Sequence, residues 1–299
     1  MKLISSASII ALAGSVSAAG KGAKSSYVIL SPPVTQMQNL HLDLDLAKTA
    51  FGLSADTDLS NPDKKQEAAL NHLEVQLKHI FWLVHDYKSM KFNVINQAWK
   101  DFQAEIINYG CHCFVNGYTV GGAGPAQDKI DLACKEYSRC IRCIDVDRVD
   151  SDYFTDRVDE CTPHQPYYSK LKKDPSSTAK FVMCGRGKED GGRQSNCQIS
   201  NCKCDQQFTQ AVADWWKRRN SDLQNIYNKD GINSVCVNEV SNMGPPDGCC
   251  GPYPQRRAYW TSNGRDCCGT DMKVQELFHT DTKQCVDAST GTVDDKDFL

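Results

Sequence analysis

The stretch DLACKEYSRC, residues 131–140, lies inside a segment that reads as a helix from about Asp128 to Cys143. Its cysteines, Cys134 and Cys140, stand six positions apart. Upstream is YGCHC, residues 109–113, followed by a glycine-rich run with Gly117, Gly121, Gly122 and Gly124. Downstream is CKCD, residues 202–205, which opens a second long helical segment reaching about Tyr227. Phe208, Ala211, Val212, Trp215 and Trp216 recur there at helical spacing and form its expected interior. Three cysteine motifs in this order, on a loop and two helices, set the frame for the rest of the chain.

The three motifs resemble those of the secreted phospholipase A2 family. That family places Tyr-Gly-Cys-x-Cys on a calcium loop, Asp-x-Cys-Cys-x-x-His-Asp-x-Cys on one helix and Cys-x-Cys-Asp at the start of an antiparallel helix. The resemblance covers residues 109–236 and implies a mainly α, disulfide-rich fold with two long antiparallel helices and a small β-wing. It also implies four bridges: Cys113–Cys134, Cys140–Cys204, Cys161–Cys197 and Cys184–Cys202. A fifth family bridge would fall on Ala133 and Ala211, so both of its ends are missing together. Pro166-Tyr167 is similar to a Pro-Tyr that the family carries between these cysteines. Cys111 pairs with either Cys236, as the family's distant bridge suggests, or Cys143.

Within this frame the chemistry is altered. The family's general base, a His, falls on Tyr137, and a phenol titrating near 10 is a poor base at neutral pH. Its calcium-binding Asp falls on Ser138, which offers one neutral oxygen. The loop positions that would supply carbonyl ligands are His112, Phe114 and Asn116, and the last two stand where glycine is usual. Phe114 and Asn116 are expected to resist the backbone angles that glycine permits. Asp205, which in the family orients the His, is kept, and the Tyr137 hydroxyl is its expected hydrogen-bond donor. No catalytic residue, calcium or other cofactor is therefore expected, with calcium retained only if the degenerate loop still holds it.

The remaining sequence places the protein outside the cell. Residues 1–19 read as a signal peptide, with a Lys, a short apolar run and cleavage after Ala18 or Ala19. All 16 cysteines lie between Cys111 and Cys285, an even set that fits disulfides in a secreted chain. Zinc spacing, Cys-x2-Cys, occurs only at Cys140/Cys143. A net charge of −3 gives no nucleic-acid footprint, and no later run is long and apolar enough for a membrane anchor.

The expected division is the signal peptide, a partly helical extension at 20–90, the phospholipase A2-like domain at 91–235 and a Cys-rich module with an acidic tail at 236–299. Residues 20–65 read as a pro-segment or loose arm. Helices are expected over about 65–87 and 94–107, from apolar stripes at Leu70, Leu73, Leu77, Ile80, Phe81 and Val84, and at Ile95, Trp99, Phe102 and Ile106. His85–Asp86 reads as an exposed helix end, and His112 and His164 as loop bystanders. Strand candidates are Phe181–Met183 and Cys197–Ser200. The run DVDRVDSDYFTDRVDE, residues 145–160, reads as a solvated acidic face. The tail is similar to Cys-Cys-Gly-x-Tyr-Pro-x-Arg motifs of matrix proteins. There Arg256, Arg257, Tyr259 and Trp260 are candidate binding residues for an extracellular protein, matrix or lipid partner. The function expected is non-catalytic binding or matrix assembly. The alternatives are a calcium-dependent phospholipase A2 and a non-catalytic lipid-binding protein.

Overall fold

A computed structural model describes residues 39–85, 91–115, 122, 124–150, 161–163, 166–173, 179–187, 191–192, 194–229, 235–236, 246–268 and 276–279. The signal peptide, Asp86, Asn116, residues 151–160, His164 and Cys285 lie outside the described residues. Most of the helices begin where a short polar side chain takes up their first free N–H groups. Helix α1 (Leu44–Ala50) starts on the Asp43 carboxylate, which accepts from Asp45 N and Leu46 N. Helix α2 (Lys64–Val84) opens on a reciprocal pair: Gln66 N donates to Asp63, and Asp63 N donates to Gln66. Helix α3 spans Phe92–Ile106. Helix α4 (Lys129–Asp150) starts at Asp128, whose Oδ1 accepts from Ile130 N and Asp131 N. Helix α5 (Asn196–Trp215) opens on a Ser195/Gln198 capping box.

The protein is mainly helical, with small antiparallel sheets and many disulfides. Helices α4 and α5 form its centre and run antiparallel. Ala133 and Ala211 line one groove between them, and seven residues on along α4, Cys140 is bridged to Cys204, seven residues back along α5. Cys113–Cys134 fastens the YGCHC loop to α4, and Cys161–Cys197 and Cys184–Cys202 fasten two approaching segments to α5. These and Cys140–Cys204 are the four pairs that the resemblance implies. Strands β1 (Ser169–Lys173) and β2 (Lys180–Cys184) make an antiparallel hairpin, with Leu171 opposite Val182.

The second long helix differs from the sequence expectation at both ends. Cys197–Ser200 is its first turns rather than a strand, and it begins nine residues before Asp205. The Ser195/Gln198 box supplies the costly first turn, and helical spacing then carries Cys197, Cys204, Asp205, Phe208 and Val212 onto the buried face. The helix stops at Trp215, where the chain tightens into a 3-10 turn. Trp216 is buried against Phe102, at 4.9 Å between rings, whereas Trp215 is 37% exposed and not interior.

Residues 40–59 are not a loose arm. Leu40, Leu42, Ala47, Ala50 and Leu59 are buried in the same core as the central helices. The incoming chain is fixed by side chains of α2 and α3: Leu42 N donates to Glu74, Asp43 N to Gln103, and Trp99 Nε1 to the His41 carbonyl at 2.7 Å. Leu73, Leu77, Ile80 and Phe81 of α2 are buried, as are Ile95, Trp99, Phe102 and Ile106 of α3. Phe81 lies 5.2 Å from the Trp99 ring and 5.4 Å from that of Phe102. Each such side chain contributes roughly 1.5–3 kcal/mol on burial, so the N-terminal extension is a large part of the core.

The C-terminal module consists of two antiparallel pairs, β3 (Gly248–Cys250) with β4 (Arg257–Tyr259), and β5 (Arg265–Cys268) with β6 (Glu276–His279). Cys250–Cys267 joins the pairs, and Cys143–Cys249 bolts the module to α4. Cys111 pairs with Cys236, which settles the alternative left open by the sequence. Helix α4 runs seven residues beyond Cys143, into the acidic run. Asp147 is buried there rather than solvated: Arg256 donates to it from Nε at 2.5 Å and Nη2 at 3.0 Å, and Tyr253 donates at 2.9 Å. A charge run reads as a solvent face because sequence does not show a cation arriving from more than a hundred residues away.

Candidate functional site

Asp205 sits on the buried face of α5, 1% exposed, and its carboxylate meets groups from α2 and from the Pro166-Tyr167 pair. Gln76 Nε2 donates to Oδ1 at 2.9 Å, and the Tyr167 hydroxyl donates to Oδ2 at 2.5 Å. His72 Nε2 also lies 2.9 Å from Oδ2. Gln76 and His72 come from α2, where His72, Gln76 and His79 recur at four and three residues and so share one face. The signal for this cluster was present in the sequence: three polar side chains beside the apolar stripe of a helix that has to be buried. His79 is the more buried of the two histidines. It is 2% exposed, and neither ring nitrogen has a hydrogen-bond partner among the described residues. Burial pushes its pKa down to about 4, against the opposing pull of Asp205, so the ring is neutral at ordinary pH.

The expected Tyr137–Asp205 hydrogen bond is not formed. The Tyr137 ring stacks on Phe208 at 4.7 Å and 27°, and Phe114 packs edge-on to Phe208 from the other side at 5.9 Å. Asp205 instead accepts from Gln76 and Tyr167, with His72 close beside it. Ser138 turns its hydroxyl back onto its own helix, donating to the Cys134 carbonyl at 3.2 Å. Phe114 adopts φ +51°, the left-handed region that the sequence reading expected it to resist. It is buried against Phe208, and aromatic packing there offsets a backbone cost of about 1–2 kcal/mol.

The loop is organised by Asp131, at the start of the opening motif. Its buried carboxylate accepts from the backbone N–H groups of Cys111, His112 and Gln127. A Cβ at Gly110, where φ is +62°, would fall 2.3 Å from the Asp131 Cγ, so glycine is required there. Burial raises the Asp131 pKa to about 6, although the three N–H groups pull it down. His112 is buried, not a bystander at the surface. Its Nε2 lies 3.0 Å from the Gly124 carbonyl, and the Lys135 ammonium donates to that same oxygen at 3.0 Å.

A calcium site gathers carboxylates and carbonyls about one point. Here the Gly124 carbonyl accepts from the Lys135 ammonium, and the Ser138 hydroxyl donates to the Cys134 carbonyl of its own helix. Among the described residues, no three His, Cys, Asp or Glu side chains are grouped to hold a metal.

The tail candidates do not form one surface. Arg256 is 4% exposed, with both faces of its guanidinium spent on Asp147 and the Gly251 carbonyl. Arg257 is half-buried, 3.5 Å from Glu136. Trp260 packs against the core beneath the Arg142 guanidinium. The half-buried Tyr259 ring packs over Gly248, where a Cβ would stand 2.9 Å from its hydroxyl. Arg256, Arg257 and Trp260 fasten the module to α4. Among the described residues, no helix is long and apolar enough to cross a membrane. No family model and no curated protein matches the chain.

Proposed function

We propose that the chain is a secreted, non-catalytic protein on a phospholipase A2-like scaffold, acting as an extracellular binding or matrix component. The observation that carries this reading is the state of Asp205. Its carboxylate is closed off by Gln76, Tyr167 and His72, while the residue in the base position, Tyr137, is built into an aromatic stack. General-base hydrolysis needs a base within hydrogen-bond reach of a water that can meet the ester. Seven disulfides among the described residues and no free cysteine support an oxidising, extracellular setting. The docked Cys-rich module adds exposed surface, which favours a partner over a substrate.

A working lipase draws on one contact, His72 against Asp205. That histidine is a buried residue of α2, 8% exposed, and its exposure leaves little surface for an ester to approach. The test is fatty-acid release from mixed phospholipid micelles in millimolar calcium. The protein is expected to match a heat-killed control, and the double variant Tyr137→His with Ser138→Asp is expected to stay inactive because Asp205 is already engaged. Calcium-dependent release by the unmodified protein refutes the reading.

A further inference from the structure

Where α4 and α5 lie side by side, two adjoining cavities of about 340 and 210 Å³ share Lys129, Leu132 and Trp215 as walls. The inner one runs past Ala133 and Ala211 to Tyr137 and Phe208, and Pro254 of the C-terminal module closes one side. The outer one opens at Arg218, whose guanidinium lies 5.1 Å over the half-exposed Trp215 ring. Two alanines opposite each other leave this space, since any larger pair would fill it. The walls are mostly apolar, which is the general character of a small-molecule site of this size.

The charges at the groove are unevenly matched. Its two acids are spent inside the protein. Asp128 caps α4 through Oδ1 and accepts the Tyr109 hydroxyl on Oδ2. Glu136 lies between Arg139 at 2.7 Å and Arg257 at 3.5 Å. The two cations, Lys129 and Arg218, are exposed and have no ion-pair partner among the described residues. An apolar slot that ends in two cations against the single Asp128 carboxylate is net positive there and fits an apolar chain with an anionic head.

We propose that the α4–α5 groove binds a single-chain anionic amphiphile, with its carboxylate between Lys129 and Arg218 and its chain along Leu132, Ala133 and Ala211 towards Tyr137. A guanidinium can hold the carboxylate through two parallel hydrogen bonds, and the stacking on Trp215 keeps that guanidinium in place. The site is separate from the Asp205 cluster and does not rest on the absence of hydrolysis.

The test is calorimetric titration of the full chain with dodecanoate below its micelle threshold, beside dodecyl maltoside and dodecyltrimethylammonium as probes of equal chain length. One saturable site is expected for dodecanoate alone. Lys129→Gln with Arg218→Gln, both at exposed positions that leave the core untouched, is expected to weaken it at least tenfold. Ala211→Leu, which fills the slot, is expected to abolish it. The proposal is overturned by no saturable uptake of dodecanoate, by equal uptake of all three probes, or by unchanged uptake in the double variant. It is also overturned if the protein dimerises through this groove, with the double variant monomeric and dodecanoate without effect, because the occupant is then a second copy of the chain.

Discussion

Replacing Arg256 by Met removes one half of the buried pair that seats the C-terminal module on α4. The structure gives the magnitude. Arg256 makes two charge-assisted bonds to Asp147, at 2.5 and 3.0 Å, and a third to the Gly251 carbonyl at 2.7 Å. Both side chains are about 5% exposed or less, at 5% and 4%. Without Arg256, Asp147 keeps the Tyr253 hydroxyl but loses its counter-charge in a site that water does not reach. Removing one partner of a buried pair typically destabilises by about 3–5 kcal/mol, because the other charge is left buried. For a domain of this size that corresponds to a drop in Tm on the order of 10 °C. The assay is urea or thermal unfolding with the disulfides intact, for Arg256→Met, Asp147→Asn and the double variant. The double variant is expected to be more stable than Arg256→Met alone, since it leaves no orphaned charge. A loss under 1 kcal/mol in Arg256→Met, or strictly additive effects in the cycle, refutes the assignment of Asp147 and Arg256 as a buried, coupled pair.

Two further outcomes are expected. Introducing cysteine at both Ala133 and Ala211 is expected to form a bridge spontaneously during oxidative folding, seen as a crosslinked peptide in a non-reduced tryptic map. Two free thiols there would show that these positions do not face each other. Lowering the pH from about 6.5 to 4 is expected to destabilise the fold through His79 and His112, both of which burial holds at about 4 against an ordinary 6.5. The unfolded chain binds those protons first, so stability falls as pH drops through that window, by up to about 3 kcal/mol for each ring. Asp131 works in the opposite sense: its folded pKa of about 6 lies above its ordinary 3.8, so it favours the fold as pH falls from 6. Urea midpoints between pH 7 and 4 measure the balance, and His79→Leu should flatten the decline.

The helical frame was legible because local signals agreed with the tertiary result. The apolar stripes of α2 and α3, the Asp128 cap and the cysteine spacings each pointed to one arrangement. What the sequence concealed was carried by contacts between distant residues. Asp147 lay in a run of like charge and gave no hint of Arg256. Asp205 was identified, but of the donors that occupy it Gln76 comes from α2, which has no motif of its own, and Tyr167 from the Pro166-Tyr167 pair, to which no role was given. The start of α5 was missed because Cys197–Ser200 reads equally as a short strand, and only Ser195 with Gln198 distinguishes the two. Phe114 shows the limit of backbone propensity, since side-chain packing on Phe208 holds it at a positive φ.

The bridges Cys111–Cys236 and Cys143–Cys249 close a covalent ring with the two stretches of chain that they span. A protease that cuts once between residues 236 and 249 opens the chain without releasing anything. The N-terminal piece keeps Cys111, Cys143 and Cys236 in one continuous chain, and the piece beginning before Cys249 stays on it through Cys143. The C-terminal module can therefore circulate as part of a nicked, two-chain molecule of unchanged mass apart from one added water. In an environment rich in proteases, its attachment is governed by the redox state of one sulfur pair, Cys143–Cys249, rather than by the integrity of the peptide backbone.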